Sequence, residues 1–283
     1  MDDEEFTSIH KLIKQVIKDY SSWETTSIPW FRGEPKDIST PLLPRLFRKD
    51  DGIDHDELKL LHHFRMKAPS LGLPYVPSRD YVDQWLFLAQ HVGLPTRLLD
   101  WTEGLLIALH FAIYTKQSGA VVWMLDPDEL NRKSYSTFKD GDYALTWFSQ
   151  KRRPLIGNDL FRIQKMIQNK GEYPLLSEIP DNLGNMNINK AWTKESCGTP
   201  FPFAVHPTNI HPRMSSQISR FTIHGEIETD MQEMDLGDRI LRNYVIADEA
   251  IPKIKIELRM MGISHSSLFP ELDGLSEELS IIY

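Results

Sequence analysis

A single cysteine, Cys197, stands in 283 residues. It excludes an intramolecular disulfide and any zinc centre built from cysteines, and it points to a reducing compartment. Positive charge is also short, 32 Lys and Arg against 40 Asp and Glu, for a net charge of −8 and a pI near 5.7. Bulk electrostatics therefore does not draw the chain to phosphate backbones, and no nucleic-acid partner is expected. The local basic patch Lys151-Arg152-Arg153 lies beside an apolar turn and reads as a solvated face. No apolar run approaches the roughly 18 residues of a membrane-spanning helix, and the start, Met1-Asp2-Asp3-Glu4-Glu5, is acidic, so no membrane partner is expected and the location is read as cytoplasmic. Internal repeats and low-complexity tracts are missing. There is no His-x-x-x-His and no carboxylate cluster at ligand spacing, and the acidic run Asp50 to Asp54 lacks the bidentate glutamate of a calcium loop, so no metal is expected.

With 41% hydrophobic and 25% charged residues, the chain has the composition of a folding globular protein. Its length suits one large α+β domain carrying an insertion. Phe6, Ile9, Leu12, Ile13, Val16 and Ile17 recur every three or four residues and predict an amphipathic helix, an N-terminal element within residues 1–25. Short buried strands are predicted over Ser27 to Glu34, Gly119 to Leu125, the end of the Arg213 to Gly225 segment, and Asn243 to Ile246. Pro200 to Pro207 reads as an edge strand bracketed by prolines. A helix is expected to begin near Asp56, another to run from about Asp248 to Met261, and a short one to close the chain. Residues 126–200 are expected to form an irregular insertion, with Asn182 to Asn189 as a surface loop. The predicted fold is α+β, with a central small mostly antiparallel sheet and packed helices in a single large domain.

The stretch Gln84 to Ala112 is the most informative. It reads as an apolar helix, a Gly-Pro turn carrying His91, Thr96, Arg97 and Asp100, and a second apolar helix, so that polar groups are held between two segments that must be buried. Asp100 before Trp101-Thr102 is suited to a helix N-cap. Trp85, Phe87, Trp101, Phe111 and His110 are assigned to the core.

Four stretches together resemble the FRG-domain family: Phe31-Arg32-Gly33-Glu34, Ala89 to Thr102 with Ala108 to Ala112, Arg213 to Ile223, and Leu268 to Leu275. The resemblance spans about residues 30 to 278 and implies an FRG domain over 26–283, of a kind typical of bacteria and their mobile elements. A second likeness, to mono-ADP-ribosyltransferases, implies NAD as substrate. In that comparison Arg32 beside Gly33 would hold phosphate or ribose, Thr102 with Trp101 would line the nicotinamide pocket, and Gln217 would stand near the catalytic acidic position. A glutamine cannot take a proton or carry negative charge, and Glu226, with Glu228 on the same strand face, could supply the carboxylate.

Gathered into one pocket, Arg32, Arg97 and Arg213 would favour an anionic ligand, since guanidiniums match phosphate oxygens, and a nucleotide is the natural candidate. His91, Thr96, Asp100 and Thr102 would add acid, base and hydroxyl groups. Against this stands a buried network in which Arg32 and Arg97 pair with Glu34 and Asp100, since structural ion pairs imitate sites. Three classes follow: an NAD-consuming effector of toxin or defence type with a protein target; a non-catalytic module binding a nucleotide or a partner protein; and, ranked last, a metal-assisted hydrolase.

Overall fold

A computed structural model describes residues 5–23, 25–48, 52–73, 75–78, 82–114, 119–136, 155–156, 201–207, 210–225 and 229–282. Helix α1 (Ile9–Ser22) starts where the Ser8 side chain accepts the Lys11 N–H, and it buries Ile9, Leu12 and Val16. Ile17, read into the same stripe, is exposed on the flank of the helix. Ahead of α1, Phe6 is stitched to the sheet: its N–H donates to the Val245 carbonyl, and its carbonyl accepts from Ala247.

The sheet has seven strands: β1 (Trp30–Pro35), β2 (Leu98–Thr102), β3 (Ala120–Leu125), β4 (Leu155–Ile156), β5 (Phe203–His206), β6 (Ser219–Ile223) and β7 (Leu241–Ile246), in the order β4-β5-β6-β2-β1-β3-β7. Every pairing is antiparallel except β4 with β5. The fold is thus α+β with a mostly antiparallel sheet, larger than the small one expected. β5 is flanked by β4 and β6 and is not an edge strand.

Side chains alternate across the sheet, as the two-residue period of a strand requires. On one face Phe31, Val122, Met124, Tyr244 and Ile246 pack with α1, with α4 (Leu105–Ile113) and with α7 (Ile251–Met260). On the other, Trp30, Leu99, Trp101, Val121, Trp123, Leu125 and Val245 meet Leu42, Leu130, Met231 and Ile240. Leu130 belongs to α5 (Pro127–Ser136), so regular structure extends ten residues into the expected insertion. Apart from Leu155–Ile156, residues 137–200 lie outside the described residues, and with them the Lys151-Arg152-Arg153 patch and the Asn182 to Asn189 loop.

α2 (Glu57–Lys67) is capped by Asp56, whose carboxylate accepts the Lys59 N–H. α3 (Val82–His91) precedes β2, and the short helices α6 (Pro212–Ser216) and α8 (His265–Leu268) lead to α9 (Leu272–Ile282). The central stretch departs from expectation in its middle. Leu98–Thr102 is a strand paired with β6, not a turn, so Asp100 lies mid-strand and Gly104 takes the N-cap position of α4. Asp100 is the one exposed residue of the strand, with buried residues on both sides of it, a pattern without the strict alternation that marks a half-buried strand in a sequence. Among the described residues no helix is long and apolar enough to cross a membrane.

Candidate functional site

β1 pairs with β3 along all six residues but with β2 through one residue pair, Phe31 with Thr102. Beyond that pair the two strands lose their ladder, and a cleft of about 380 Å³ opens beside them. The Arg32 guanidinium bridges the gap, with Nη1 donating to the Asp100 carbonyl at 2.8 Å, so that a side chain serves a strand carbonyl in place of a ladder N–H. Gly33 sets the depth of the cleft. A Cβ there would stand 1.7 Å from the Ala108 carbonyl oxygen, so only glycine lets α4 lie this close to β1.

Arg32, Gly33, Asp100, Trp101, Thr102 and Gln217 all line this cleft. They come from β1, from β2 and from the residue that ends α6. Thr102 is fixed in two directions: its hydroxyl donates to the Gln217 carbonyl at 2.7 Å and accepts the Gly104 N–H at 3.0 Å. Gln217 gives its side-chain amide to the Leu268 carbonyl at 3.2 Å. The next residue, Ile218, holds a left-handed backbone at φ 47°, a strained conformation for a β-branched residue.

Glu34, Arg48, Phe111 and Ser219 also line the cleft and escaped the sequence reading as site residues. Glu34 was detectable, because residues two apart on a strand share a face and Glu34 follows Arg32 by two. Arg48, at the end of a proline-rich loop, carried no such signal. Glu34 Oε1 accepts from Arg32 Nη2 and, at 3.4 Å, from Arg48 Nη2. Arg48 also holds the Leu43 and Pro41 carbonyls. Burial pushes the Glu34 carboxyl upward from its ordinary value, against the pull of Arg32 and Arg48. Arg32 Nε and Glu34 Oε2 are buried with no hydrogen-bond partner among the described residues.

Asp100 is open to the cleft, yet the cleft walls replace bulk water around it, and its pKa is raised by that burial against Arg32 and the Gln90 hydrogen bond. Gln90 Nε2 donates to Asp100 Oδ2 at 2.7 Å, and the Thr96 hydroxyl in turn donates to Gln90 Oε1. Thr96 is itself buried, so it orients Gln90 and does not face the cleft.

Arg97, His91 and Arg213 lie elsewhere. Arg97 is 2% exposed and gives Nε to Glu57 Oε2 at 2.7 Å and Nη1 to the His224 carbonyl at 3.3 Å, tying α2 to β2. Its expected partners were Glu34 and Asp100; the actual one is a glutamate 40 residues away. Arg213 pairs with Glu271 at 3.1 Å and lies over the Phe269 ring. The His91 ring lies tilted against that of His211, centroids 4.2 Å apart, and His211 caps α6. His91, His211 and Glu271 each bring one ligand-type atom within 4.8 Å of the others, a cluster assembled from three segments that no local spacing reveals. Glu226 and Glu228 lie outside the described residues. His110, Trp85, Phe87 and Trp101 are buried, while Phe111 is only partly buried, at the cleft wall.

The architecture is that of an α+β protein with a polar cleft built on a Phe-Arg-Gly strand. Residues 27–120 match the FRG domain. The match takes in Arg32, Gly33 and the Asp100 to Thr102 strand and ends where β3 begins; Gln217 and Ser219 fall beyond it. No curated protein and no solved structure matches the chain.

Proposed function

We propose that the cleft binds a nucleotide of the NAD type and acts at its ribose, as an ADP-ribosyltransferase-like or NAD-hydrolysing enzyme. The observation that carries this reading is the meeting of Arg32, Asp100, Thr102 and Gln217, drawn from separate parts of the chain, around one cavity. A volume of about 380 Å³ falls within the roughly 300–1,000 Å³ of small-molecule sites. Two guanidiniums and two carboxylates line it, a balance suited to a ligand carrying both signs, such as a cationic nicotinamide joined to a pyrophosphate. Phe31, Trp101 and Phe111 offer apolar surface for a ring. Arg97 and Arg213, spent on other partners, take no part.

Asp100 fills the role for which Gln217 is chemically unfit. In hydrolysis the bond from ribose C1′ to the nicotinamide nitrogen breaks and its electron pair leaves with nicotinamide. A carboxylate close to C1′ stabilises the cationic sugar, water adds to C1′, and the proton it loses passes to Asp100. Gln217 Oε1 and the remaining lone pair of the Thr102 hydroxyl would accept hydrogen bonds from sugar hydroxyls.

Incubating the protein with NAD and measuring free nicotinamide tests this. Release is expected, reduced about 100-fold or more in Asp100→Asn with the melting temperature unchanged. No release, together with no thermal shift on adding NAD or ADP-ribose, overturns the proposal. A second reading, a non-catalytic module for a nucleotide or a partner protein, draws support from the engagement of Arg32 by Glu34 and by the Asp100 carbonyl. A thermal shift with NAD and no nicotinamide release favours it.

A further inference from the structure

A second cluster, separate from the lining of the cleft, joins the end of α3, the start of α6 and the loop before α9. His91, His211 and Glu271 present ligand-type atoms all within 4.8 Å of one another. His91 Nε2 is buried and has no hydrogen-bond partner among the described residues, an arrangement that is costly unless something compensates it. Burial and the neighbouring His211 push His91 down to about 4, and burial lowers His211 as well. Glu271 is only loosely used: its contacts to Arg213 are 3.1 to 3.3 Å and its distance to His211 Nδ1 is 3.7 Å, against the roughly 2.7–2.9 Å of a well-made charge-assisted hydrogen bond.

We propose that His91, His211 and Glu271 form a zinc-binding site. Two imidazoles and a carboxylate suit the borderline-soft Zn²⁺ ion, and tetrahedral coordination with bonds near 2.0–2.2 Å sets ligand atoms roughly 3.4 Å apart. The present span closes to that by about an ångström of side-chain movement, and water takes the fourth position. Arg213 serves as the outer partner that holds the Glu271 carboxylate, as ligating carboxylates require, while its charge tempers the affinity. The ion would pin three segments, two of them tied to residues that line the cleft. Gln90, beside His91, orients Asp100, and the helix that His211 caps ends at Gln217.

The test uses the full chain stripped with a chelator. Calorimetric titration with Zn²⁺ is expected to show one tight equivalent, and Co²⁺ in its place to give the intense visible absorption of tetrahedral coordination. His91→Ala and Glu271→Gln are each expected to weaken binding at least 10-fold, with the chelated proteins keeping the wild-type circular dichroism. His62→Ala, outside the cluster, leaves binding intact. Should His91→Ala fail to fold, Glu271→Gln, which keeps the shape of the side chain, decides alone. Absence of a tight equivalent in the wild type, or one that persists in Glu271→Gln, overturns the proposal, whatever the protein does with NAD.

Discussion

Arg97 gives its Nε to a glutamate that is itself buried, so replacing it with alanine leaves the Glu57 carboxylate without its cation in the interior. Arg97→Ala is expected to destabilise the protein by about 3–5 kcal/mol, read from urea denaturation, with ligand binding at the cleft unaffected at temperatures where the variant stays folded. Arg32 and Arg97 could not be told apart in the sequence, because both stand beside apolar residues and close to a carboxylate. What separates them is the tertiary position of the acid. Asp128 makes a prediction about pH. Burial, and then the neighbouring Asp126, push it up to about 7 from an ordinary 3.8. Between roughly pH 4 and 7 the native state keeps a proton that the unfolded chain has released, so this group imposes a penalty that grows as pH rises and is complete above 7. Asp128→Asn is expected to flatten the stability profile across that window and to raise stability at pH 8 by about 1 kcal/mol or more, measured by thermal melts from pH 4 to 8.

Among the elements, β1 and α4 depend on each other through Gly33. A methyl group at position 33 meets backbone, not a flexible side chain, and α4 must lift from the sheet to admit it. Gly33→Ala is expected to cost about 3 kcal/mol and to abolish thermal shifts by cleft ligands, both readable in one melting experiment. Strands β1, β3 and β7 and helices α1 and α7 were legible from apolar spacing and continuous apolar runs. β2 was not, because five residues with an aspartate in the middle fit a turn as well as a strand, and its identity as a strand comes from the partner β6, 120 residues away. The same limit applies to the cleft. Arg32, Gly33, Asp100, Thr102 and Gln217 were legible as types in a recognisable order, while the single-pair contact between β1 and β2 that opens the cleft is a property of pairing and not of composition.

For the whole molecule, one sheet ties the first described residues to the last third of the chain, since Phe6 bonds β7 and β6 covers β2. The resemblance over residues 27–120 was legible because its motifs are long and specific; the packing of residues 219–223 against the central strand was not. The sheet order β6-β2-β1-β3-β7 then bears on how the protein can be divided. Cutting out residues 27–120, the stretch that matches the FRG domain, retains β1 and β2 with α4 but removes β6 from the outer edge of β2 and nearly all of β3 from β1. Both flanks are left with rows of unpaired amides and carbonyls over bare apolar faces, a template for intermolecular strand addition. The excised segment is expected to emerge from size-exclusion chromatography as aggregate where the full chain elutes as a discrete species. A discrete, cooperatively melting fragment would show that the matched stretch closes its own edges. The stretch that matches the family is thus expected to be shorter than the unit that folds.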